Sequence, residues 1–251
     1  MKNRLLIILP FLILTVLFTA FTMWAYTPLG PMPEALAALT SDDEVEIANR
    51  GGWWEFSPAG GPAIAGLILY PGGRVDWRSY APIAKGIARH GFLVALVPMP
   101  FNLAVFSPQK GGEVIAAYPH IRKWAIGGHS LGGAMAANFV FQNPGLVDGL
   151  VLWAAYPAEN QSLRNIAVEV ISIYGSEDGL ATVEVEEAAR NRLPEDTKWV
   201  QVLGGNHAQF GWYGDQPGDG TALLSREEQQ SIILTETVRF LEQFASEGDE
   251  K

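Results

Sequence analysis

The sequence contains no cysteine, only four histidines and fewer basic than acidic residues. Without cysteine there is neither a disulfide framework nor a thiolate metal site, and four scattered histidines argue against a zinc cluster. Any catalysis must therefore use oxygen and nitrogen groups. The 17 basic residues are outnumbered by 27 acidic ones, which gives a formal net charge of -10. This excess of negative charge argues against a nucleic-acid partner and against adsorption to anionic lipid headgroups.

The amino terminus carries a long uncharged segment. Leu5 to Tyr26 has no charged residue, and a helix of about 22 residues spans roughly 33 Å, which matches the hydrocarbon core of a bilayer. Lys2 and Arg4 precede it and favour a cytoplasmic amino terminus. We therefore expect an uncleaved signal anchor over residues 1–26, with membrane contact through this helix and the rest of the chain outside the cytoplasm.

Two other interpretations of this segment remain open. A cleaved signal peptide would release a secreted protein, but such signals have a shorter apolar core and small residues at the cleavage site. Here the segment ends in the bulky sequence Met23-Trp-Ala-Tyr26. The third interpretation is a buried core helix.

The chain after the anchor separates into a linker and a domain. Residues 27–44 are rich in proline and end in an acidic stretch, which is typical of a stiff spacer. We place the globular domain at residues 45–251. It opens with a predicted hairpin, Val45 to Ala48 and Trp53 to Phe56, in which glycine supplies the turn.

Short apolar runs then alternate with helical patterns. Strands are predicted at Ala63 to Tyr70, Phe92 to Pro98, Lys123 to Gly127, Leu150 to Ala155, Val168 to Tyr174 and Lys198 to Leu203. The last helix is predicted from about Arg226 to Ser246. This alternation is typical of an α/β fold, a doubly wound and mostly parallel sheet with helices on both faces. No large cap domain is expected, and ligands should bind at the carboxyl ends of the strands.

One serine lies at a junction between a strand and a helix. Gly128-His129-Ser130-Leu131-Gly132 comes directly after the strand Lys123 to Gly127 and overlaps the start of the helix Leu131 to Gln142. In a G-x-S-x-G turn the two glycines leave room for a strained backbone, so the serine hydroxyl projects above the sheet edge. The pattern alone is a weak signal, but its position after a strand makes Ser130 the candidate nucleophile.

Four motifs in this order resemble the α/β-hydrolase superfamily, in particular the small dienelactone-hydrolase-like esterases without a large cap. They are Tyr70-Pro-Gly-Gly73, the Ser130 turn, Tyr174-Gly-Ser-Glu-Asp178 and Gly204-Gly-Asn-His207. The resemblance covers roughly Val45 to Phe244 and implies the chain order nucleophile, acid, base.

A serine needs a base within hydrogen-bonding reach, because its hydroxyl is a weak nucleophile. His207 lies after the last strand on a glycine-rich loop that lets the ring fold back over the sheet edge. We expect His129 to point away from the site, His90 to end a helix and His120 to lie in a surface turn. The resemblance places the acid at Asp178. Asp215 and Asp219, in the loop after His207, are the alternatives for this role, and Glu177 is expected to be solvated.

Acyl transfer also needs donors for the developing oxyanion. The backbone N–H of Leu131 is one candidate, and the second should come from Gly72 or Gly73, with Gly73 preferred. An ordinary Pro-Gly turn would contain the same residues. The segments Pro98 to Phe106 and Ala208 to Asp215 are apolar and aromatic, as expected of walls of a pocket for an ester.

These observations predict a serine hydrolase that cleaves carboxylic esters, or related acyl bonds, of a small-molecule or lipid-like substrate. The catalytic residues would be Ser130, Asp178 and His207, with Leu131 and Gly73 as the oxyanion hole. No metal site and no cofactor are expected. Thioesterases, amidases and peptidases on the same fold are alternatives, and so is a non-catalytic binding protein at the membrane.

Overall fold

The computed structural model describes residues 2–246. Its centre is an eight-stranded sheet in the order β1-β2-β4-β3-β5-β6-β7-β8. The strands are β1 Val45–Asn49, β2 Trp54–Pro58, β3 Gly66–Tyr70, β4 Leu93–Leu96, β5 Trp124–His129, β6 Gly149–Trp153, β7 Glu169–Gly175 and β8 Lys198–Val202. Strands β3 to β8 are parallel to one another, whereas β1 and β2 pair antiparallel at one edge.

Seven α-helices accompany the sheet in the described part of the chain. They are α1 Lys2–Ala25, α2 Pro33–Ala37, α3 Ala81–Arg89, α4 Lys110–Ala117, α5 Leu131–Gln142, α6 Val183–Ala189 and α7 Arg226–Ser246. Helices connect successive parallel strands except between β6 and β7, where residues 154–168 form an irregular connection. Among residues 2–246, no insertion between strands is large enough to form a separate cap.

The core forms two layers because successive side chains of a strand point to opposite faces. On β3, Leu67 and Leu69 belong to one buried cluster with α3 and α7, whereas Ile68 and Tyr70 belong to a second cluster with α5. Helices therefore cover both faces of a mostly parallel sheet. The predicted α/β fold class is confirmed.

The strand predictions were too long at several ends. Residues 63–65 lie outside β3, where Ile64 instead donates its backbone N–H to Gly91 O at 2.8 Å. The segment after Asp76 forms a 3-10 turn, Trp77–Tyr80, followed by the separate helix α3. A proline at the start of α3 accounts for this division, because its fixed φ suits the first turn of a new helix.

The structure does not support the transmembrane helix that was predicted at the amino terminus. Residues 2–25 do form a helix, but no helix within residues 2–246 is both long and apolar enough to cross a membrane. The predicted transmembrane anchor over Leu5 to Tyr26 is therefore not supported by the structure. The carboxyl end of α1 instead contacts the domain, where the ring of Phe21 lies 5.5 Å from that of Phe101.

Two polar side chains of the domain bind the end of α1. Arg74 donates from Nε to Trp24 O at 3.0 Å and from a terminal guanidinium nitrogen to Thr27 O at 2.7 Å. Asn102 donates from Nδ2 to Ala25 O at 2.9 Å. Arg74 has a positive φ of 55° and immediately follows Gly73. The end of α1 is thus tied to the loop that leaves β3.

Residues 27–44 also lie against the domain. Leu29 forms a parallel bridge with Val75, and Met32 donates its backbone N–H to Trp212 O at 2.8 Å. Ala35 of α2 is completely buried. These contacts give the proline-rich segment a fixed path over the surface.

The buried carboxylate of Glu55 joins the edge hairpin to Tyr118, the residue that follows α4. Glu55 of β2 accepts from Arg50 Nε at 2.9 Å, from Ser57 Oγ at 3.1 Å and from the Tyr118 hydroxyl. Burial raises the pKa of Glu55, but the hydrogen bonds from Arg50 and Tyr118 lower it by more, so its pKa lies below the ordinary value of 4.5. A carboxylate with a depressed pKa stabilises the fold above its unfolded-state pKa, and this contribution is lost as pH falls through the folded-state value.

We expect Glu55→Gln to lower the free energy of unfolding at neutral pH by about 1–3 kcal/mol, since it leaves the Arg50 guanidinium and a buried hydroxyl poorly paired. Urea unfolding at a series of pH values should show a constant difference from wild type above pH 4.5 and a shrinking difference below it. The exposed Glu46→Gln is the matched control on β1. A difference that grows on acidification would contradict this account.

Candidate functional site

Ser130 occupies the sharp turn between β5 and α5. Its backbone lies at φ 52° and ψ -123°, outside the regions that a serine normally adopts. The backbone N–H of Ser130 donates to Trp153 O at 2.9 Å, which holds the turn against the end of β6. Such strain persists only where surrounding contacts impose it.

The two glycines of the motif are required by close backbone contacts. A Cβ at either Gly128 or Gly132 would lie within 3.0 Å of the Tyr70 carbonyl oxygen, a separation that real Cβ atoms essentially never show. No side chain fits at either position while β3 keeps its place beside β5. The structure therefore explains the spacing of the motif by the approach of a neighbouring strand.

Asp178 and His207 form a buried pair. His207 Nδ1 lies 2.8 Å from Asp178 Oδ2, and both side chains are almost completely buried. The other carboxylate oxygen, Oδ1, accepts backbone N–H groups from Leu180 at 2.8 Å and Ala181 at 2.7 Å. With the carboxylate ionised, Nδ1 carries the proton that it donates, so Nε2 is left as the acceptor.

Ser130 and His207 line one cavity of about 280 Å³ at the carboxyl ends of the strands. A larger cavity of about 700 Å³ lies at the amino ends of the strands, beside Lys123, Asp148 and Glu169. None of the residues that line the larger cavity is a serine or a histidine. The chemistry of the side chains, and not the size of the space, identifies the smaller cavity as the candidate site.

The loop after β3 lies against the start of α5. A Cβ on Gly73 would lie 2.9 Å from Leu131 Cδ2. Gly72 donates its backbone N–H to the Tyr80 hydroxyl at 3.0 Å, whereas within the described residues neither Gly73 N–H nor Leu131 N–H has an acceptor. Of the two glycines, only Gly73 therefore presents an unused donor beside Leu131.

His129 makes a contact that the sequence did not reveal. The Tyr80 hydroxyl, which accepts from Gly72, shares a hydrogen bond of 2.8 Å with His129 Nδ1. Burial lowers the pKa of His129 well below its usual value, and the proximity of His207 lowers it further, so the ring is neutral. Its centroid lies 4.4 Å from that of His207. His129 thus packs beneath the candidate base and joins it to the glycine loop.

The remaining histidines lie outside the cavity. His90 directly follows α3, and its Nδ1 donates to Gly86 O at 2.9 Å. His120 is exposed, with its ring 6.1 Å from that of Tyr118. Neither lines the cavity that contains Ser130.

The alternative acids are also accounted for. Asp215 is exposed, and the carboxylate of Asp219 accepts backbone N–H groups, among them those of His207 at 3.2 Å and Ala208 at 2.7 Å. A further carboxyl, Glu186, is completely buried, and burial followed by the nearby Asp178 raises its pKa well above the usual value. Among these acids only Asp178 faces the imidazole of His207.

Within the part of the chain that the structure describes, no group of three or more His, Asp or Glu side chains is arranged to bind a metal ion. The donors at the site are the serine hydroxyl, the imidazole and backbone N–H groups. This set suits acid–base and nucleophilic chemistry at a carbonyl carbon.

None of the curated proteins compared with the chain matches it. Residues 66–231 match the model of the alpha/beta hydrolase family. This match begins at β3 and includes Ser130, Asp178 and His207. It also covers well over half of the chain, which therefore belongs to the alpha/beta hydrolase family.

Proposed function

We propose that the chain is a serine hydrolase that cleaves carboxylic esters through an acyl-enzyme. One observation carries the proposal. The His207 Nδ1 to Asp178 Oδ2 hydrogen bond of 2.8 Å leaves Nε2 free to act as a base in the cavity that also contains Ser130. Membership of a hydrolase family supports the same chemistry.

In the first half of the proposed reaction, Ser130 Oγ attacks the ester carbonyl carbon while His207 Nε2 takes the hydroxyl proton. Asp178 keeps the imidazole in the required tautomer and stabilises the imidazolium. The tetrahedral intermediate then breaks its bond to the alkoxy oxygen, and that oxygen leaves as an alcohol with the proton from His207. The acyl group stays on Ser130.

Water completes the cycle. His207 Nε2 takes a proton from water, the resulting nucleophile attacks the acyl-enzyme, and the proton returns to Ser130 Oγ as the carboxylic acid departs. The sum is one ester and one water converted to one acid and one alcohol. These steps use only side chains, backbone groups and water, so the proposal includes no cofactor.

The negative oxygen of each tetrahedral intermediate needs donors that are already in place. We assign this role to the backbone N–H groups of Gly73 and Leu131, because neither has an acceptor among the described residues. Losing one such donor typically costs about 2.7–4 kcal/mol of transition-state stabilisation.

We expect a fluorophosphonate probe to label the purified protein at the nucleophile, and Ser130→Ala to abolish both labelling and ester hydrolysis. The matched control is Ser162→Ala, which removes an exposed hydroxyl away from the cavity. Labelling is measured by intact mass and hydrolysis by alcohol release. Labelling that survives Ser130→Ala would show that another residue is the nucleophile, and no labelling of wild type would favour the non-catalytic binding protein.

Asp178→Asn should reduce kcat by about four orders of magnitude, because an amide accepts less strongly and favours the wrong imidazole tautomer. The neighbouring Glu177→Gln is the control, since Glu177 accepts from Ser176 Oγ and does not contact His207. Steady-state kinetics on one activated ester give both values. Equal losses in the two variants would count against Asp178 as the orienting acid.

Thioesters, amides and peptides undergo the same acyl transfer. A kinetic comparison is therefore needed to identify the bond that the protein cleaves best. A panel that keeps one acyl group and changes the leaving group ranks these substrates by kcat/KM. The proposal requires the ester to rank first over the amide and the thioester.

The predicted location outside the cytoplasm, either attached to the membrane or secreted, stays a prediction from the amino-terminal sequence. The sequence of residues 1–26 is its only support. The proposed chemistry does not depend on it.

A further inference from the structure

We infer that the site selects esters of short, uncharged, apolar acyl groups. This inference rests on the proposed function and adds the class of substrate. Four alanines, Ala134, Ala154, Ala155 and Ala181, line the cavity beside Ser130 and His207. The remaining lining side chains are those of Leu131, Tyr156 and Leu180.

The lining contains no group that would pair with a charged substrate. Apart from His207, none of the residues that line the cavity is an Asp, Glu, Lys, Arg or His. The formal net charge of the chain is -10, which repels anionic substrates at long range. A carboxylate on the acyl group would therefore lose its hydration without gaining a partner. Uncharged acyl groups meet no such penalty.

The size of the cavity limits the length of the acyl group. Its volume of about 280 Å³ lies just below the range of about 300–1,000 Å³ that is typical of pockets for drug-sized ligands. The same space must hold the acyl group and part of the alcohol. A long alkyl chain would have to leave part of its length in water.

The alanine wall cannot easily recede to enlarge the space. Ala155 is buried, and a Cβ built on Gly133 of α5 would lie 2.5 Å from the Ala155 Cβ, so the helix is packed directly behind it. Ala154 has a positive φ of 46°, which marks a backbone held by its surroundings. Enlarging the cavity here would require α5 to move away from β6.

A series of p-nitrophenyl esters tests the acyl preference. We expect kcat/KM to be highest for acetate to hexanoate and to fall by about tenfold or more for laurate, because the cavity walls cannot recede and forcing a longer chain between them costs steric strain. The hemisuccinate ester, with a charged acyl group, should be a poorer substrate than the butyrate. A preference for laurate or for the hemisuccinate overturns the inference. Failure to hydrolyse any ester instead overturns the proposed function.

A variant inside the pocket tests whether these walls set the preference. Ala134→Val adds bulk to a half-buried position of α5 that lines the cavity. The ratio of hexanoate to acetate kcat/KM should fall by about tenfold, within the range for one or two methylenes in an apolar pocket. Ala158→Leu, at an exposed position, should leave the ratio unchanged. Because the readout is a ratio, partial loss of folded protein does not alter it. An unchanged ratio in Ala134→Val contradicts the assignment.

A second proposal comes from hydrogen bonds outside the cavity. The carboxylate of Asp219 accepts from Gly179 N at 3.1 Å, His207 N at 3.2 Å and Ala208 N at 2.7 Å. Gly179 follows the candidate acid directly, and the other two donors belong to the base and its neighbour. One carboxylate therefore binds both loops whose relative position sets the Asp178–His207 distance.

The segment around Asp219 is tightly packed against the loop that contains Asp178. A Cβ on Gly179 would lie 2.6 Å from Gly218 O, and one on Gly220 would lie within 3.0 Å of Glu177 O. Asn206 adds a further link by donating from Nδ2 to Gly220 O at 2.8 Å. These contacts leave the loop segments around Asp178, His207 and Asp219 little freedom to move independently.

We propose that Asp219 is a positioning residue that acts through the Asp178–His207 pair. Its carboxylate binds backbone groups and does not contact the imidazole, so it takes no part in proton transfer. Removing it would let the two loops separate. Misplacement of a reacting group by about 1 Å can cost about a hundredfold in rate.

A double-mutant cycle tests this role, with the rate constant of fluorophosphonate labelling at Ser130 as the readout. Labelling can be followed for hours, so slow variants still give a rate. We expect Asp219→Ala to slow labelling about 10- to 100-fold in the wild-type background. In the Asp178→Ala background it should change the rate less than about threefold, because the pair it positions is already lost. Asp215→Ala, in the same loop and exposed, is the control.

Equal slowing in both backgrounds would mean a general structural effect and would overturn the proposal, as would no slowing in either. Should Asp219→Ala fold poorly, the same cycle with Asp219→Asn applies. The amide keeps one oxygen for Gly179 and His207 but places a donor against Ala208 N–H. Its effect should be smaller but should still depend on Asp178. Loss of labelling is distinguished from failure of the proposed function by the wild-type rate.

Discussion

The close approach of β3 to the turn after β5 is the constraint on which the site depends. The Tyr70 carbonyl oxygen lies so near Gly128 and Gly132 that neither position has room for a Cβ. Because β3 and β5 are parallel neighbours, the loop that leaves β3 must pass over the start of α5. A single strand pairing therefore shapes the strained turn at Ser130 and brings Gly73 beside Leu131.

The other half of the site depends on contacts between loops. Asp178 follows β7 and His207 follows β8, so the sheet brings the two loops to the same edge but does not fix the distance between their side chains. That distance is set by hydrogen bonds to backbone N–H groups, which hold one oxygen of Asp178 and both oxygens of Asp219. Backbone donors suit this purpose because they cannot rotate away.

Much of the fold and the candidate nucleophile could be predicted from the sequence, because both depend on local patterns. The alternation of apolar runs with helices indicated the succession of strands along the chain, and the glycines around Ser130 marked the turn. The candidate acid was assigned from the resemblance to a family, and the candidate base from its position on a glycine-rich loop after the last strand. The contacts of Tyr80 with His129 and of Asp219 with Gly179 could not be predicted, since 49 and 40 residues separate the partners and neither pair forms a recognised motif. Hydropathy alone also gave no sign that the end of α1 contacts the domain.

The hydrogen bonds between α1 and the loop after β3 have a consequence for any shortened form of the protein. Arg74, next to Gly73, places its guanidinium on the carbonyl groups of Trp24 and Thr27. A chain that begins after residue 26 keeps Ser130, Asp178 and His207 but loses one of these acceptors and the Trp24 ring that lies 4.3 Å from the guanidinium. The left-handed backbone at Arg74 would then have fewer contacts to hold it. Kinetics measured on such a fragment would therefore describe a site in which the loop after β3 is held by fewer contacts than in the chain that includes α1.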